Sequence, residues 1–330
     1  MTETSAQGAP ILAALSSRLI SHLASWPRSL QTALEEYLEL GRIGDAGHSS
    51  TGPKVSAEDP FWLRLPNLLA QKYHGQGFEG GQAISWLADL LWGQWCLFLS
   101  FRLQDDLFDQ DAENPALILV SSLLRLESEA AFQSLFETDP RFWDVFRDCQ
   151  KATYEAAAEI DRLQATQEET GDEILNLYAQ ASSVFRVGGL AVCLKSGEVG
   201  DLEAVRQLYD HLAIAGQIVD DLMDLEEDLD RNRHSYAVNK ILRTSAESTS
   251  RGGNLRQGLV RNLIYGRGSE ALIEAIREQL VAARAELEKL ELPDEESLVR
   301  KFTDGLDQLE QALHRLRVDV VLGPLLQANT

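Results

Sequence analysis

Three carboxylates spaced four residues apart dominate the stretch Gln217-Ile-Val-Asp220-Asp221-Leu-Met-Asp224-Leu-Glu-Glu227-Asp228. Around it, from about 201 to 229, apolar residues recur at helical spacing. On an α-helix, Asp220, Asp224 and Asp228 therefore share one stripe. Like charges at that spacing repel and weaken the helix, so something positive must sit against them. A second stretch, Asp105-Asp106-Leu-Phe-Asp109 with Asp111 just beyond, closes another apolar helical run. Two such faces, brought together, can share a cluster of hard cations. The chain is expected to be a scaffold that sets them face to face.

The rest of the pattern is helical too. Apolar spacing predicts helices over about 11–23, 29–40, 61–73, 82–108, 115–136, 140–164, 172–194, 201–229, 231–243, 255–264, 269–290 and 294–316. Residues 1–10 read as disordered. Gly/Ser/Pro-rich stretches at 41–60 and 245–254 read as loops, and the glycines of 75–81 as a turn. Gly188 and Gly189 fall inside the expected 172–194 helix, where each costs about 1 kcal/mol relative to Ala. A kink or a close approach to a ligand would account for them. No stretch alternates with period two, and no solenoid repeat occurs. The expected fold class is all-α: one large helical bundle around a central cavity. Residues 1–60 would be N-terminal helices and a flexible loop, and 61–330 the main helical domain.

At 330 residues the chain buries a sizeable core without staples. Acidic residues outnumber basic ones by 52 to 30, a net charge of −22. That balance disfavours nucleic-acid backbones and anionic membrane surfaces as general partners, and none of either kind is expected. Cys96, Cys149 and Cys193 show no metal-ligand spacing and suit a reducing compartment. With no signal sequence and no apolar run long enough to span a bilayer, a cytoplasmic protein is expected.

Magnesium takes oxygen ligands in octahedral geometry, keeps several waters, and is held by one or two carboxylates plus substrate phosphates. Asp105 and Asp109, one turn apart, can grip metal from one helix, and Asp220 and Asp224 from the other. Asp106, Asp221 and Asp228 complete the candidate metal-ligating set. The chain has no Glu-x-x-His for a di-iron bundle and no His-Glu-x-x-His for a zinc protease. Asp109-Gln-Asp111-Ala-Glu113-Asn114 starts like a calcium loop but has Asn where Gly is needed. The bland alternative, two solvated acidic helix ends, does not explain why both clusters end apolar helices.

A diphosphate between such metals also needs protein cations. Arg186, just before the glycine pair, and Arg231, Arg233 and Lys240 after the second cluster are candidates. Arg102 is another, or else simply the i,i+4 ion-pair partner of Asp106. Stepping back from Asp105, the same helix face carries Phe101, Phe98 and Gln94. Stepping back from Asp220, it carries Gln217, Gly216 and Ala213. An aromatic wall facing a small one would leave an apolar hollow beneath the metals, and aromatic faces stabilise carbocations. Ordinary core packing is the competing meaning of the stripe.

With these residues in place, the chain resembles the class I isoprenoid synthases. The paired motifs are Asp105-Asp106-Leu-Phe-Asp109 and Asp220-Asp221-Leu-Met-Asp224, the latter preceded by Gln217 as in trans-prenyl diphosphate synthases. Arg186-Val-Gly-Gly-Leu190 resembles that branch's Lys-Thr-x-x-Leu, and Arg233-His-Ser235 its later Lys-x-Thr. Arg102-Leu-Gln-Asp105-Asp106, and Asp224-Leu-Glu-Glu227-Asp228 followed by Arg233, look more like the squalene/phytoene branch. The Gly-Lys-x-x-Arg-Pro motif for isopentenyl diphosphate is absent apart from Leu65-Pro66, and so is the Arg-Arg pair after the first motif.

The resemblance implies ionisation of an allylic prenyl diphosphate with carbon–carbon bond formation. Three Mg²⁺ ions with bound diphosphate would serve it, and a homodimer is among the expected assemblies. Phe98, Phe101, Arg102, Arg186, Gln217, Arg233 and Lys240 are the implied substrate-binding residues. The missing second-substrate motif keeps open a terpene cyclase on the same scaffold, and a silent regulatory subunit is the remaining reading.

Overall fold

The computed structural model describes residues 10–39, 60–75, 85–109, 111–166, 171–231, 233–244, 262–263 and 267–292, with scattered positions from 300 to 311. The disordered segment expected at 1–10, apart from Pro10, lies outside them. So do the loops at 41–60 and 245–254, apart from Pro60, and most of the helices expected at 255–264 and 294–316. Among the described residues the regular structure is entirely helical, as the periodicity predicts. The described residues fall into two compact units. One is drawn from Met1–Gln150, Val184–Val205 and Glu291–Pro293, the other from Lys151–Ser183, Arg206–Leu290 and Asp294–Thr330.

The first unit contains α1 (Pro10–Leu23), α2 (Arg28–Glu39), α3 (Phe61–His74), α4 (Ser85–Phe108) and α5 (Ala116–Phe136). It also holds the start of α6 (Pro140–Thr166) and all of α8 (Val187–Ser196). Its centre is the middle of α4, where residues 90–100 are buried on every side; Leu87 and Leu103 beyond them are sealed from solvent too. Gly93 lets α5 approach closely, because a Cβ there would stand 3.2 Å from the Phe132 ring. Phe136 and Phe142 stack at 3.8 Å where α5 turns into α6. Gly75, at φ 65, ends α3 in the left-handed conformation that glycine adopts without strain, and its N–H donates to the Gln71 carbonyl.

Lys72 and Tyr73 of α3 both donate to Asp201, at 2.6 and 2.7 Å. Burial works to raise the Asp201 pKa, but those two hydrogen bonds outweigh it and hold the carboxyl below its ordinary range. A depressed folded-state pKa stabilises the fold above the unfolded value and loses that contribution as pH falls through the folded one. Asp201→Asn is accordingly expected to cost about 1–2 kcal/mol at neutral pH. The loss should vanish below the ordinary carboxylate range, as checked by urea titrations across pH.

The second unit contains α7 (Glu173–Ala181), α10 (Leu225–Asp230), α11 (Tyr236–Arg243), α12 (Gly268–Leu290) and most of α9 (Leu202–Met223). Ile174, Tyr178, Ile218, Val238, Ile241 and Leu272 form the centre of its apolar core.

Two expected helices are broken, 201–229 at Asp224 and 172–194 upstream of it. Residues 172–194 are not continuous: α7 ends at Ala181, Ser183–Arg186 form a 3-10 turn, and α8 begins at Val187. Gln94, fully buried on α4, explains the break within the first unit. Its amide donates to the carbonyls of Val184 (3.1 Å) and Phe185 (3.4 Å), and its oxygen accepts from the Gly188 N–H (2.8 Å). The glycine pair therefore lies in the first turn of α8, not in a helix interior. A Cβ at Gly188 would come within 3.1–3.2 Å of Gln94 and Pro66, so the close approach there is between helices, and it is also the setting of the Leu65-Pro66 remnant. No single described helix is long and apolar enough to cross a membrane.

Candidate active site

Both aspartate motifs close a long apolar helix at its C-terminal end. That is the wrong end for carboxylates, because the partial negative charge of the last carbonyls repels them. Neither α4 nor α9 has a basic residue in its last turn. The sequence thus places acidic groups where helix physics disfavours them.

In the first motif the three aspartates part company. Asp105 is 60% exposed and Asp106 only 2%. Asp109, half-buried, donates its N–H to the Asp105 carbonyl at 2.9 Å. Crowding by protein pushes the Asp105 carboxyl up to about 6, the charge of Asp109 adds to the rise, and Arg102 opposes it. Asp106 turns inward, where the Tyr37 hydroxyl donates to it at 2.8 Å and Arg102 pairs with it at 3.0 Å. The segment read as a failed calcium loop folds back instead: Asp111 and Ala112 both donate to the Asp106 carbonyl.

The second motif repeats the division. Asp220 is half-buried and Asp224 exposed, while Asp221 is 4% exposed. The chain bends at Asp224, where α9 gives way to α10. The N–H groups of Asp224 and Asp228 still reach the carbonyls of Asp220 and Asp224, both at 2.8 Å. The expected stripe survives the bend. Asp221 accepts from the Tyr178 hydroxyl (2.7 Å), the Gln217 amide (3.3 Å) and the Ala237 N–H (3.4 Å). Burial still pushes its carboxyl up to about 7. Burial, reinforced by the charge of Asp224, carries Asp228 to about 6.

Asp106 and Asp221 are turned away from solvent and held by protein donors. By contrast Asp105 and Asp224 are exposed, and Asp109, Asp220 and Asp228 half-buried, so these carboxylates face outward to solvent. No group of three metal-ligating side chains converges among the described residues. A cage built wholly of protein is not what Mg²⁺ needs, since water and phosphate oxygens supply most of its ligands. The hard, outward carboxylate pairs fit that ion.

Superposition on solved structures adds to this picture. The chain matches a decaprenyl diphosphate synthase from Rhodobacter capsulatus over 90% of its length and 95% of the other's, with TM-score 0.64 and 19% identity. It matches a heptaprenyl diphosphate synthase from Staphylococcus aureus with TM-score 0.66 and 13% identity, over 90% and 97%. The fold is that of the prenyl diphosphate synthases. A third match, at TM-score 0.62 and 16% identity over 90% and 95%, is a geranylgeranyl pyrophosphate synthase from Corynebacterium glutamicum complexed with calcium and isoprenyl diphosphate. No family model and no curated sequence matches the chain.

On this prenyl-synthase fold the other expected substrate residues take varied positions. Arg102 is the ion-pair partner of Asp106 and stands 3.7 Å from Asp105. Gln217 serves Asp221. Arg233 lies 3.8 Å from Asp161, Lys240 3.1 Å from Asp172, and Arg231 pairs with Glu227 at 2.8 Å. Arg186 is buried immediately ahead of α8. Phe101 is half-buried. Phe98 belongs to an aromatic cluster, 4.3 Å from Trp62 and 5.7 Å from Phe185 between ring centres. Gly216 is exposed, and a Cβ there would meet no atom within 4 Å. A recess of about 210 Å³ in the second unit is lined by Leu212, Leu280 and Leu306 and by none of the motif aspartates.

Sequence reasoning missed Tyr37, Tyr178, Trp62 and Phe185. A signal for the two tyrosines exists. Asp106 continues the buried stripe Trp92, Cys96, Leu99, Leu103, and Asp221 sits between Ile218 and Leu225 on another. A carboxylate on an apolar stripe demands a donor from a neighbouring helix.

Proposed function

We propose that this chain is a Mg²⁺-dependent class I isoprenoid synthase of the prenyltransferase type. It would ionise an allylic prenyl diphosphate, releasing diphosphate, and join the resulting cation to the alkene of a second isoprenoid unit, which then loses a proton. The observation that carries the reading is the pair of Asp-Asp-x-x-Asp motifs in a prenyl-synthase fold, each with its first and fifth carboxylates turned outward at an unfavourable helix end. The complex of calcium and isoprenyl diphosphate named for the Corynebacterium glutamicum protein supports it.

In this reading Asp105, Asp109, Asp220 and Asp224 would hold the cations, three in the family's pattern, with Asp228 adding negative charge nearby. When bound, those cations neutralise the charge that grows on the diphosphate as its C–O bond breaks. Arg186, buried just ahead of α8, would meet the departing diphosphate. Arg233 and Lys240, each beside a carboxylate, bring weaker net charge to it. Phe98, clustered with Trp62 and Phe185, and Phe101 would line an apolar wall that keeps water from the allylic cation and faces it with ring quadrupoles. Residues 61–330 carry the synthase domain and 1–60 its N-terminal helices, and a homodimer is the proposed assembly.

The test is a product assay with geranyl, farnesyl or geranylgeranyl diphosphate and Mg²⁺, with and without isopentenyl diphosphate. Longer diphosphates formed only with isopentenyl diphosphate are expected. A hydrocarbon or alcohol formed without it would make the chain a cyclase, and no turnover in any mixture would overturn the enzymatic reading.

A further inference from the structure

Each motif repeats one construction inside its own unit. A tyrosine from a different helix is sealed in the core, Tyr37 at 3% exposure on α2 and Tyr178 at 1% on α7. Its hydroxyl donates to Oδ2 of the middle aspartate, at 2.8 Å to Asp106 and 2.7 Å to Asp221. Phenylalanine would fill the same space, so packing alone does not call for the hydroxyls. The consequence is angular. Successive residues on a helix are rotated by about 100°, so tying the second aspartate inward fixes where the first and fifth point.

We propose that Tyr37 and Tyr178 are positioning residues: struts that lock the middle aspartate of each motif and so hold the outward carboxylates in a metal-gripping orientation. The inference rests on the metal-binding reading above and adds that α2, remote in sequence from either motif, is part of the site's machinery. The two struts are unequal. Asp106 also has Arg102, whereas Asp221's other described contacts are the longer bonds from Gln217 and the Ala237 N–H. Loss of the Tyr178 hydroxyl should therefore be the more damaging.

Calorimetric titration of Mg²⁺ into the full chain, with inorganic diphosphate present, tests this. The set is wild type, Tyr37→Phe and Tyr178→Phe, with Asp105→Asn marking the loss of a ligand. Outer hydrogen bonds to metal ligands are typically worth about 10–100-fold in affinity. Both variants are expected to weaken Mg²⁺ binding by about tenfold or more, Tyr178→Phe by the larger factor. In the product assay the Mg²⁺ concentration for half-maximal rate should rise with it, while the rate at saturating Mg²⁺ is largely kept. A purely structural role would lower the melting temperature and leave the Mg²⁺ dependence in place. Wild-type Mg²⁺ affinity in both variants would overturn the struts and leave the metal reading standing. Failure of the wild type to bind Mg²⁺ with diphosphate would overturn both. Should Tyr178→Phe not fold, Asp221→Asn takes its place, since Asn keeps an acceptor for the tyrosine and removes the charge. Near-wild-type Mg²⁺ binding is expected there, and a loss as large as that of Asp105→Asn would make Asp221 a ligand and overturn the proposal.

Discussion

Asp105→Ala and Asp220→Ala, made separately, should each cut turnover by a factor of at least about a hundred, the scale on which losing one electrostatic stabiliser of a developing anion is felt. Neither should destabilise the protein. Both carboxylates sit in the last turn of a helix, against its dipole, beside like charges one turn away. Removing either relieves repulsion worth about 0.3–1 kcal/mol. The melting temperature should hold or rise slightly while diphosphate release collapses. That opposition is the signature of a group retained for chemistry at the expense of stability, and it separates the proposal from two solvated helix ends. Phosphate-release kinetics and thermal unfolding of the same preparations decide it. Retained turnover in both variants would remove the metal assignment.

The sequence made the helices legible because their apolar spacing is regular. The expected 11–23, 61–73 and 269–290 become Pro10–Leu23, Phe61–His74 and Gly268–Leu290. The glycine pair at 188 and 189 pointed to a kink, but the place and form of the break between α7 and α8 were not legible. The segment Val184-Phe185-Arg186-Val187 has helical spacing and no proline, and the partner that turns it out of a helix, Gln94, lies ninety residues away in the chain. The motifs were legible as acidic stripes, but treating their aspartates as equivalent ignored the phase of the helix. Asp106 and Asp221 lie on buried stripes, so they differ from their neighbours before any ligand is considered. Arg102 shows the converse. Its plain i,i+4 pairing with Asp106 was one of two readings, and that pairing occupies it in the structure. Tyr37 could be suspected only from the demand for a donor, since its contact with Asp106 spans 69 residues.

Gln94→Leu should be the most destabilising of the substitutions considered. The amide is fully buried and serves three backbone groups, the carbonyls of Val184 and Phe185 and the N–H of Gly188. That N–H belongs to the first turn of α8, where no helical carbonyl is available to it, and the residue ahead of the helix supplies no side-chain cap. Leucine matches the volume but offers nothing polar, so each orphaned group bears its desolvation. At about 1–3 kcal/mol per buried group and with partial relaxation, the expected loss is about 2–4 kcal/mol, read from the urea midpoint at constant slope. The clamp also sets Phe185 against Phe98 and Trp62. Substrate affinity should therefore weaken in step with stability, whereas Asp105→Ala would leave stability alone. A midpoint unchanged in Gln94→Leu would mean that the 3-10 turn is held by something other than this amide. The glycine at 188 would then need a different explanation, because its close contact with the Gln94 side chain is the reason a larger residue is excluded there.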